Sequence, residues 1–247
     1  MVRPKAFGYD PETAVSNVFQ NKPLDNEEMN YQDMALSEFD NAVSSLRSNG
    51  IKVTIFNEDD IDEVKKPDSI FPNNWFSTHS NGMIILYPMM AKSRRLEKRF
   101  DIIKYLQDNF KVKKNIPRKQ DDLKTNSKIF VDFILSFTLI LLKFKEIIDI
   151  SNFAEDDMFL EGTGSIVFDH ENKVAYACRS NRTNINLLKF VCQKLGYSLA
   201  EFDAVDGDGI PIYHTNVMMW IGTEVAAICS KSIKDSEVDI KYYIFFY

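Results

Sequence analysis

Hydrophobic and polar positions along this chain recur with two periods, and the switches between them mark out its elements. Between residues 27 and 49, Met34, Leu36, Phe39, Val43 and Leu46 recur at spacings of two to four, as on the buried stripe of a helix. Gly50 then stands where a helix commonly ends, and 51–56 alternates as a strand. A second unit repeats the pattern. The Asn81-Gly82 turn leads into a strand over 83–87, and 94–109 reads as a helix with Leu96, Phe100, Ile103 and Leu106 facing inward. In a third unit, strands over 164–169 and 173–178 flank His170, Glu171 and Asn172. A helix over 183–195 follows, with Ile185, Leu188, Val191 and Cys192 inward; Gly196 ends it, and 197–205 returns as a strand. A fourth unit begins at Ile212, continues through 217–220, the Gly222 turn and 225–229, and stops without its helix.

The rhythm strand, strand, helix, strand predicts an α/β fold built from an internal structural repeat, although residue identity between the units is weak. Repeats of this kind bury their apolar faces on their neighbours. One stretch breaks the rhythm. A strand starting at Lys111 should run on into "IIDIS", but residues 113–145 intervene: a charged part over 113–128, then the apolar run 129–142. That run is shorter than the roughly 20 residues of a membrane-spanning helix and contains Asp132, so a buried extra helix is expected rather than a span.

Composition narrows the function classes. The 247 residues suit one large domain or two small ones, and 45% hydrophobic with 27% charged residues is the make-up of a folded chain. A net charge of −6 argues against nucleic acid or an anionic membrane as partner, so an anionic ligand must be held by local arginines. The three cysteines are an odd number with no CxxC spacing; neither a disulfide framework nor a metal site is expected. With no apolar leader at the N-terminus, a cytoplasmic setting is the expectation. Nothing in the sequence fixes the oligomeric state.

The polar clusters fall at strand ends, where an α/β architecture leaves side chains free for a ligand. In "PDSIFPNNW", Asp68, Asn73 and Asn74 could grip a planar hydrogen-bonding group, though Asp, Asn and Pro also favour turns unaided. In "LEGTGS", Glu161 precedes glycines that a turn alone could require, and reads either as a surface charge or as a buried acid. His214, in "YHTN" with Asn216, is a candidate general acid/base, while a structural histidine is the common alternative. His79 and His170 read as solvated. Arg94, Arg95 and Arg182 precede helices; each offers a bidentate fork for a carboxylate, with a surface role as the alternative for Arg95.

Taken in order, "VRPKAFGYDPETAVSNVFQ", "PDSIFPNNW", "LYPMMAKSRRLEKR", "FLEGTGSIVFD", "AYACRSNRTN" and "IYHTNVMM" resemble the citrulline-utilisation branch of the guanidine-modifying (pentein, amidinotransferase-like) superfamily. The resemblance spans nearly the whole chain outside 113–145 and the last fifteen or so residues. It implies a single pentein domain, an α/β propeller of ββαβ units with the site on the central axis. It also implies Cys–His–Glu covalent catalysis without a cofactor: a cysteine attacks the ureido or guanidino carbon and water cleaves a thiouronium-like intermediate. Carried over, His214 is the general acid/base and Glu161 orients it. Asp68 binds the substrate, and Arg182 with Arg94 or Arg95 holds its carboxylate. Relatives acting on a guanidinium place acids where this chain has Asn73, Asn74 and Asn216. Amides match a neutral ureido group, so citrulline, hydrolysed to ornithine, ammonia and carbon dioxide, is the expected substrate.

Two departures stand against the resemblance. The family nucleophile is a cysteine near the C-terminus, in the last blade. Here Cys178 and Cys192 fall in a strand and a helix interior and Cys229 at a strand end, so none stands in its place. The expectation is therefore an incomplete domain lacking that blade. Residues 113–145 and the tail 231–247 have the look of translated non-coding sequence, the former a retained intron, and the chain that of a partial gene product. An amidinotransferase and a catalytically dead amino-acid-binding protein are the alternative functions.

Overall fold

The computed structural model describes residues 1–17, 20, 22, 30–57, 64–110 and 146–234. The expectations for 113–145, including the apolar run 129–142, and for most of the tail lie outside the described residues. The elements follow the anticipated rhythm. Strand β1 (Val2–Arg3) and the short helix α1 (Pro11–Ala14) precede helix α2 (Tyr31–Ser48) and strand β2 (Phe56–Asn57), which pairs in parallel with β1. Then come β3 (Phe76–Thr78), β4 (Met83–Leu86), α3 (Lys92–Arg95), α4 (Phe100–Asn109) and β5 (Glu146–Asp149). The next unit comprises the helical turn α5 (Gly162–Ser165), β6 (Val167–Asp169), β7 (Val174–Cys178), α6 (Ile185–Leu195) and β8 (Ser198–Phe202). A hairpin of β9 (Met219–Ile221) and β10 (Ala226–Ile228) follows.

The two three-stranded sheets share one topology. β3 and β4 pair antiparallel and β4 takes β5 in parallel; β6 and β7 pair antiparallel and β7 takes β8 in parallel. The parallel partner arrives in each case after a helix, as a crossover requires. Neighbouring units also share cores. Ile84, Leu86, Ile102 and Ile103 bury against Val2 and Trp75, while Ile85 and Tyr87 on the same strand continue into a cluster with Ile166, Phe168, Leu188 and Val191. Tyr176, Cys178 and Phe202 then pack on Met218, Met219 and Ile233. Alternate residues of β4 and of β7 thus serve different cores, the period-two pattern of a strand covered on both faces.

Helix ends follow their local chemistry. Asn30 caps α2 by accepting from the Asp33 amide. At the other end Gly50, at φ 78°, donates to Arg47 O while Ile51 donates to Leu46 O, a Schellman closure. Asn184 accepts from the amides of Asn186 and Leu187 to start α6, and Gly196 closes it at φ 74°.

Four expectations need correction. Gly164 and Ser165, expected in a strand over 164–169, close the helical turn α5, and β6 starts only at Val167. Of the stripe on α2 only Phe39 and Val43 are buried, and Met34 is exposed. Only the end of 51–56 forms a strand, because the partner β1 is two residues long. The helix expected over 94–109 breaks into α3 and α4: Glu97 turns inward to pair with Arg94, and the break leaves Leu96 and Phe100 exposed instead of inward.

Candidate active site

Three of the units have a tight helical turn just before the first strand of their hairpin, β3, β6 or β9, and these turns and their N-cap residues include polar residues singled out above. One 3-10 turn, Pro72–Asn74, starts with proline at a position where a missing N–H costs nothing. α5 has Glu161 as its N-cap residue, and a second 3-10 turn, Thr215–Val217, has His214 as its N-cap residue. The turns meet. A Cβ on Gly162 (φ +45°) would lie 2.3 Å from Asn73 O, and one on Gly164 would lie 2.3 Å from Asn74 Nδ2 and 2.8 Å from His214 Cε1 and Nδ1. The glycines in "EGTGS" are therefore there for contact as well as for the turn: the other two turns lie directly upon them.

Together they wall a cavity of about 250 Å³ whose lining includes Asp68, Asn73, Asn74, Arg94, Arg182, His214 and Asn216. Seven of the nine sequence-derived candidates are thereby assembled from segments up to 148 residues apart. The eighth, Glu161, lies fully buried immediately behind His214. Arg95 is not brought in: its guanidinium donates to the carbonyls of Met89, Met90 and Ala154 and meets Glu155, tying the loop after β4 to the loop after β5. Thr13, Asn17, Phe71, Tyr213 and Val217 also line the cavity and were not picked out. All five lie within the family-like stretches, which is the signal the sequence held for them.

Glu161 is the electrostatic centre. Its Oε2 accepts from His214 Nε2 at 2.7 Å and from Arg182 Nη1 at 3.2 Å, and its Oε1 accepts from the Met90 amide at 3.0 Å. Burial pushes this carboxyl up, but the hydrogen bond from His214 and the charges of Arg182, Arg94 and, once it is protonated at low pH, His214 outweigh it and hold the group at about 2. A carboxylate only accepts, so Nε2 of His214 carries the proton. Burial meanwhile lowers the imidazole below its ordinary range against the pull of Glu161, so near neutral pH it is uncharged. The Nδ1 lone pair then remains beside Gly164, chemically able to accept a proton. Thr215 fixes the backbone here: its hydroxyl donates to Ser165 O at 2.6 Å and accepts from the Cys178 amide at 2.8 Å.

Both arginines are held from behind. Arg94 forks onto Glu97, with Nε to Oε1 at 2.9 Å and Nη2 to Oε2 at 3.0 Å, and approaches Asp68 at 3.8 Å. Burial pushes the Glu97 carboxyl up to about 7 in spite of this pairing, and it pushes the Asp68 carboxyl up against the pull of Arg94. Arg182 donates to Thr13 O and to Ser16 Oγ and lies 4.8 Å from the Tyr213 ring centroid. It thus pins the α1 segment to the cavity. None of the three cysteines lines the cavity; Cys178 and Cys192 are buried with burial raising both thiols, and Cys229 follows β10. Among the described residues no group of His, Cys, Asp and Glu could hold a metal ion, and no helix is long and apolar enough to cross a membrane.

No curated protein matches the chain in sequence. Among solved structures, the N-terminal domain of the cyanobacterial arginine dihydrolase ArgZ, bound to its substrate, superposes with a TM-score of 0.61 at 12% identity, covering 100% of this chain and 71% of that one. AgrE, in a ternary complex with ornithine and NAD+, gives 0.62 at 13% identity, covering 100% of this chain and 28% of that one. At such identities these likenesses establish the fold. The family described as eukaryotic N,N-dimethylarginine dimethylhydrolase matches residues 3–241. By that match the chain belongs to the dimethylarginine dimethylhydrolase family, in the pentein group of amidino-hydrolases and deiminases.

Proposed function

We propose that the cavity recognises an amino acid through its ureido or guanidino group, with citrulline as the ligand, and that it is shaped for hydrolysis to ornithine, ammonia and carbon dioxide. The observation carrying this reading is that three amides, Asn73, Asn74 and Asn216, line the cavity beside the His214–Glu161 pair. A buried guanidinium cation calls for carboxylates, whereas the C=O and NH2 of a ureido group pair with amides that both accept and donate. Asp68 accepts from the ureido N–H groups. Arg94 and Arg182 take the α-carboxylate. On this reading the repeated units are blades of an α/β propeller with the cavity on its axis, forming one domain with an insertion over 113–145.

The chemistry follows from the placement of His214. In the covalent route a thiol gives its proton to His214 Nδ1 and adds as thiolate to the ureido carbon, and His214 returns that proton to the ammonia that leaves. A thiocarbamate remains. Water, deprotonated at His214 Nδ1, then releases the thiolate and a carbamate that falls apart to the amine and carbon dioxide. Glu161 keeps the imidazole in the Nε2–H tautomer and stabilises its cation during each transfer. Because no cysteine lines the cavity, the described residues supply the recognition and proton-handling part of this sequence, and amino-acid binding is the property to measure first.

A second reading places arginine in the cavity, since the structurally similar ArgZ is named an arginine dihydrolase. Calorimetric titration with citrulline and with arginine separates the two. Citrulline is expected to bind at least about tenfold more tightly, and Asn73→Asp to reverse the order, a charge pair in a partly buried site amounting to about 1–3 kcal/mol. Tighter binding of arginine to the wild type would overturn the citrulline reading.

A further inference from the structure

A second cavity, of about 540 Å³, opens at the far end of the same strands. Asn74 precedes β3 and His79 follows it; Glu161 precedes β6 and His170 follows it. At the rise of an extended chain this puts the two cavities on the order of 15 Å apart, and their linings share no residue. The volume is within the range of about 300–1,000 Å³ usual for small-molecule sites.

Two hydrogen-bond chains end here. In one, the hydroxyl of fully buried Tyr87 lies 2.8 Å from Ser77 Oγ, which lies 2.7 Å from Nε2 of His79. His79 is itself only 8% exposed, and its Nδ1 has no partner among the described residues. In the other, Lys173 Nζ donates to the Tyr197 hydroxyl at 3.4 Å, and that hydroxyl lies 2.7 Å from Nδ1 of His170. An ammonium can only donate, so the Tyr197 hydroxyl is free to donate onward to Nδ1, which leaves the proton of a neutral His170 on Nε2. Donation in the same direction along the other chain, Tyr87 to Ser77 to His79, would leave the His79 proton on Nδ1, and each chain would then end in an imidazole N–H. Phe168 braces both rings, edge-on to His79 at 5.5 Å and stacked on His170 at 5.9 Å. In a chain of net charge −6, no Asp or Glu lines this cavity among the described residues, and Lys173 lies at its wall.

We propose that this second cavity binds a compact oxyanion, the phosphate or carboxylate group of a small metabolite, through Lys173 and the N–H groups of His79 and His170. Donors converging with one cation and without a carboxylate select an anion, and the pre-set hydroxyl chains hold the donors in place before the ligand arrives.

The chain's three histidines make the test internally controlled, because two belong to this cavity and the third, His214, belongs to the other. Imidazole ¹H–¹⁵N spectra of the full chain are recorded while sodium phosphate, and separately sodium acetate, is added at constant ionic strength. Saturable shifts of the His79 and His170 signals are expected, with a midpoint that differs from that of any shift at His214, whose cavity holds Arg94 and Arg182. The anion that saturates at the lower concentration identifies the headgroup. Lys173→Asn is expected to weaken binding by about tenfold. Lys173 is exposed and sits at φ 57°, a conformation asparagine accepts readily, so the turn survives the change. Shifts of His79 and His170 that grow without saturating, that follow the His214 midpoint, or that are unchanged in Lys173→Asn would overturn the proposal. The wild-type titration decides it even if the variant fails to fold.

Discussion

Replacing Glu161 with glutamine is the perturbation with the most to reveal, because three donors converge on one fully buried carboxylate. The amide keeps the shape but has one acceptor and one donor. If its NH2 takes the place of Oε2 it faces the donors of His214 and Arg182; if it takes the place of Oε1 it faces the Met90 amide. Arg182, 3% exposed, meanwhile keeps its charge and loses its counter-ion. Removing one partner of a buried pair costs about 3–5 kcal/mol. The pH dependence gives a second figure. The carboxyl sits at about 2 in the fold, against 4.5 in its ordinary state. A depressed acid contributes stability that is present above 4.5 and is lost as pH falls through 2. At about 1.4 kcal/mol per unit this amounts to about 3 kcal/mol. Urea unfolding of wild type and Glu161→Gln should therefore show a gap of about 3 kcal/mol at pH 7, narrowing by about 1.4 kcal/mol per unit between pH 4.5 and 3. A gap that stays constant over that range would refute the assignment of Glu161 as the buried anion of the site.

The remaining predictions test contact and conformation separately. Gly164→Ala puts a methyl group on Asn74 and His214 side chains, so citrulline binding by calorimetry should fall more than tenfold while thermal unfolding registers only about 1–3 kcal/mol; unchanged binding would sever the α5 turn from the site. Gly50→Ala has open space for its methyl group but a φ of +78°, and should cost about 1 kcal/mol in unfolding without affecting binding. Arg182→Lys loses the fork to Thr13 O and Ser16 Oγ, and amide exchange over residues 13–17 should speed up by about tenfold with the exchange of α6 unaltered.

What the sequence made legible was local chemistry. Gly50 and Gly196 announced helix ends because a closing residue at positive φ is a property of the chain itself. The order of strands and helices followed from two periodicities, and the polar residues at strand ends were found because the repeat places a turn there each time. The failures share a different cause. Leu96 and Phe100 continued a helical stripe, and only the distant wall formed by Asp68, Phe71 and Asn74 explains why Glu97 and Arg94 turn inward at the break. Arg94 and Arg95 are adjacent and chemically alike; which of them faces the cavity depends on the carbonyls of Met89, Met90 and Ala154, which take Arg95. Thr13 and Phe71 lie within the quoted stretches, but they belong to the site through backbone placement and shape, which residue type alone does not announce. His79, read as solvated, is instead buried at the end of a hydrogen-bond chain through Ser77 and Tyr87, whereas His170 is exposed as read, with Tyr197 beside its Nδ1.

The central claim is that Asp68, the three asparagines and the His214–Glu161 pair form one recognition site for a ureido amino acid. Its most direct test is calorimetric titration of citrulline into the wild type and into Asp68→Asn at pH 7. Saturable one-site binding by the wild type, weakened at least about tenfold in the variant while the unfolding midpoint stays within a few degrees, is the predicted result. A folded wild type that releases no heat with citrulline, or an Asp68→Asn variant that binds it equally well, would contradict the account.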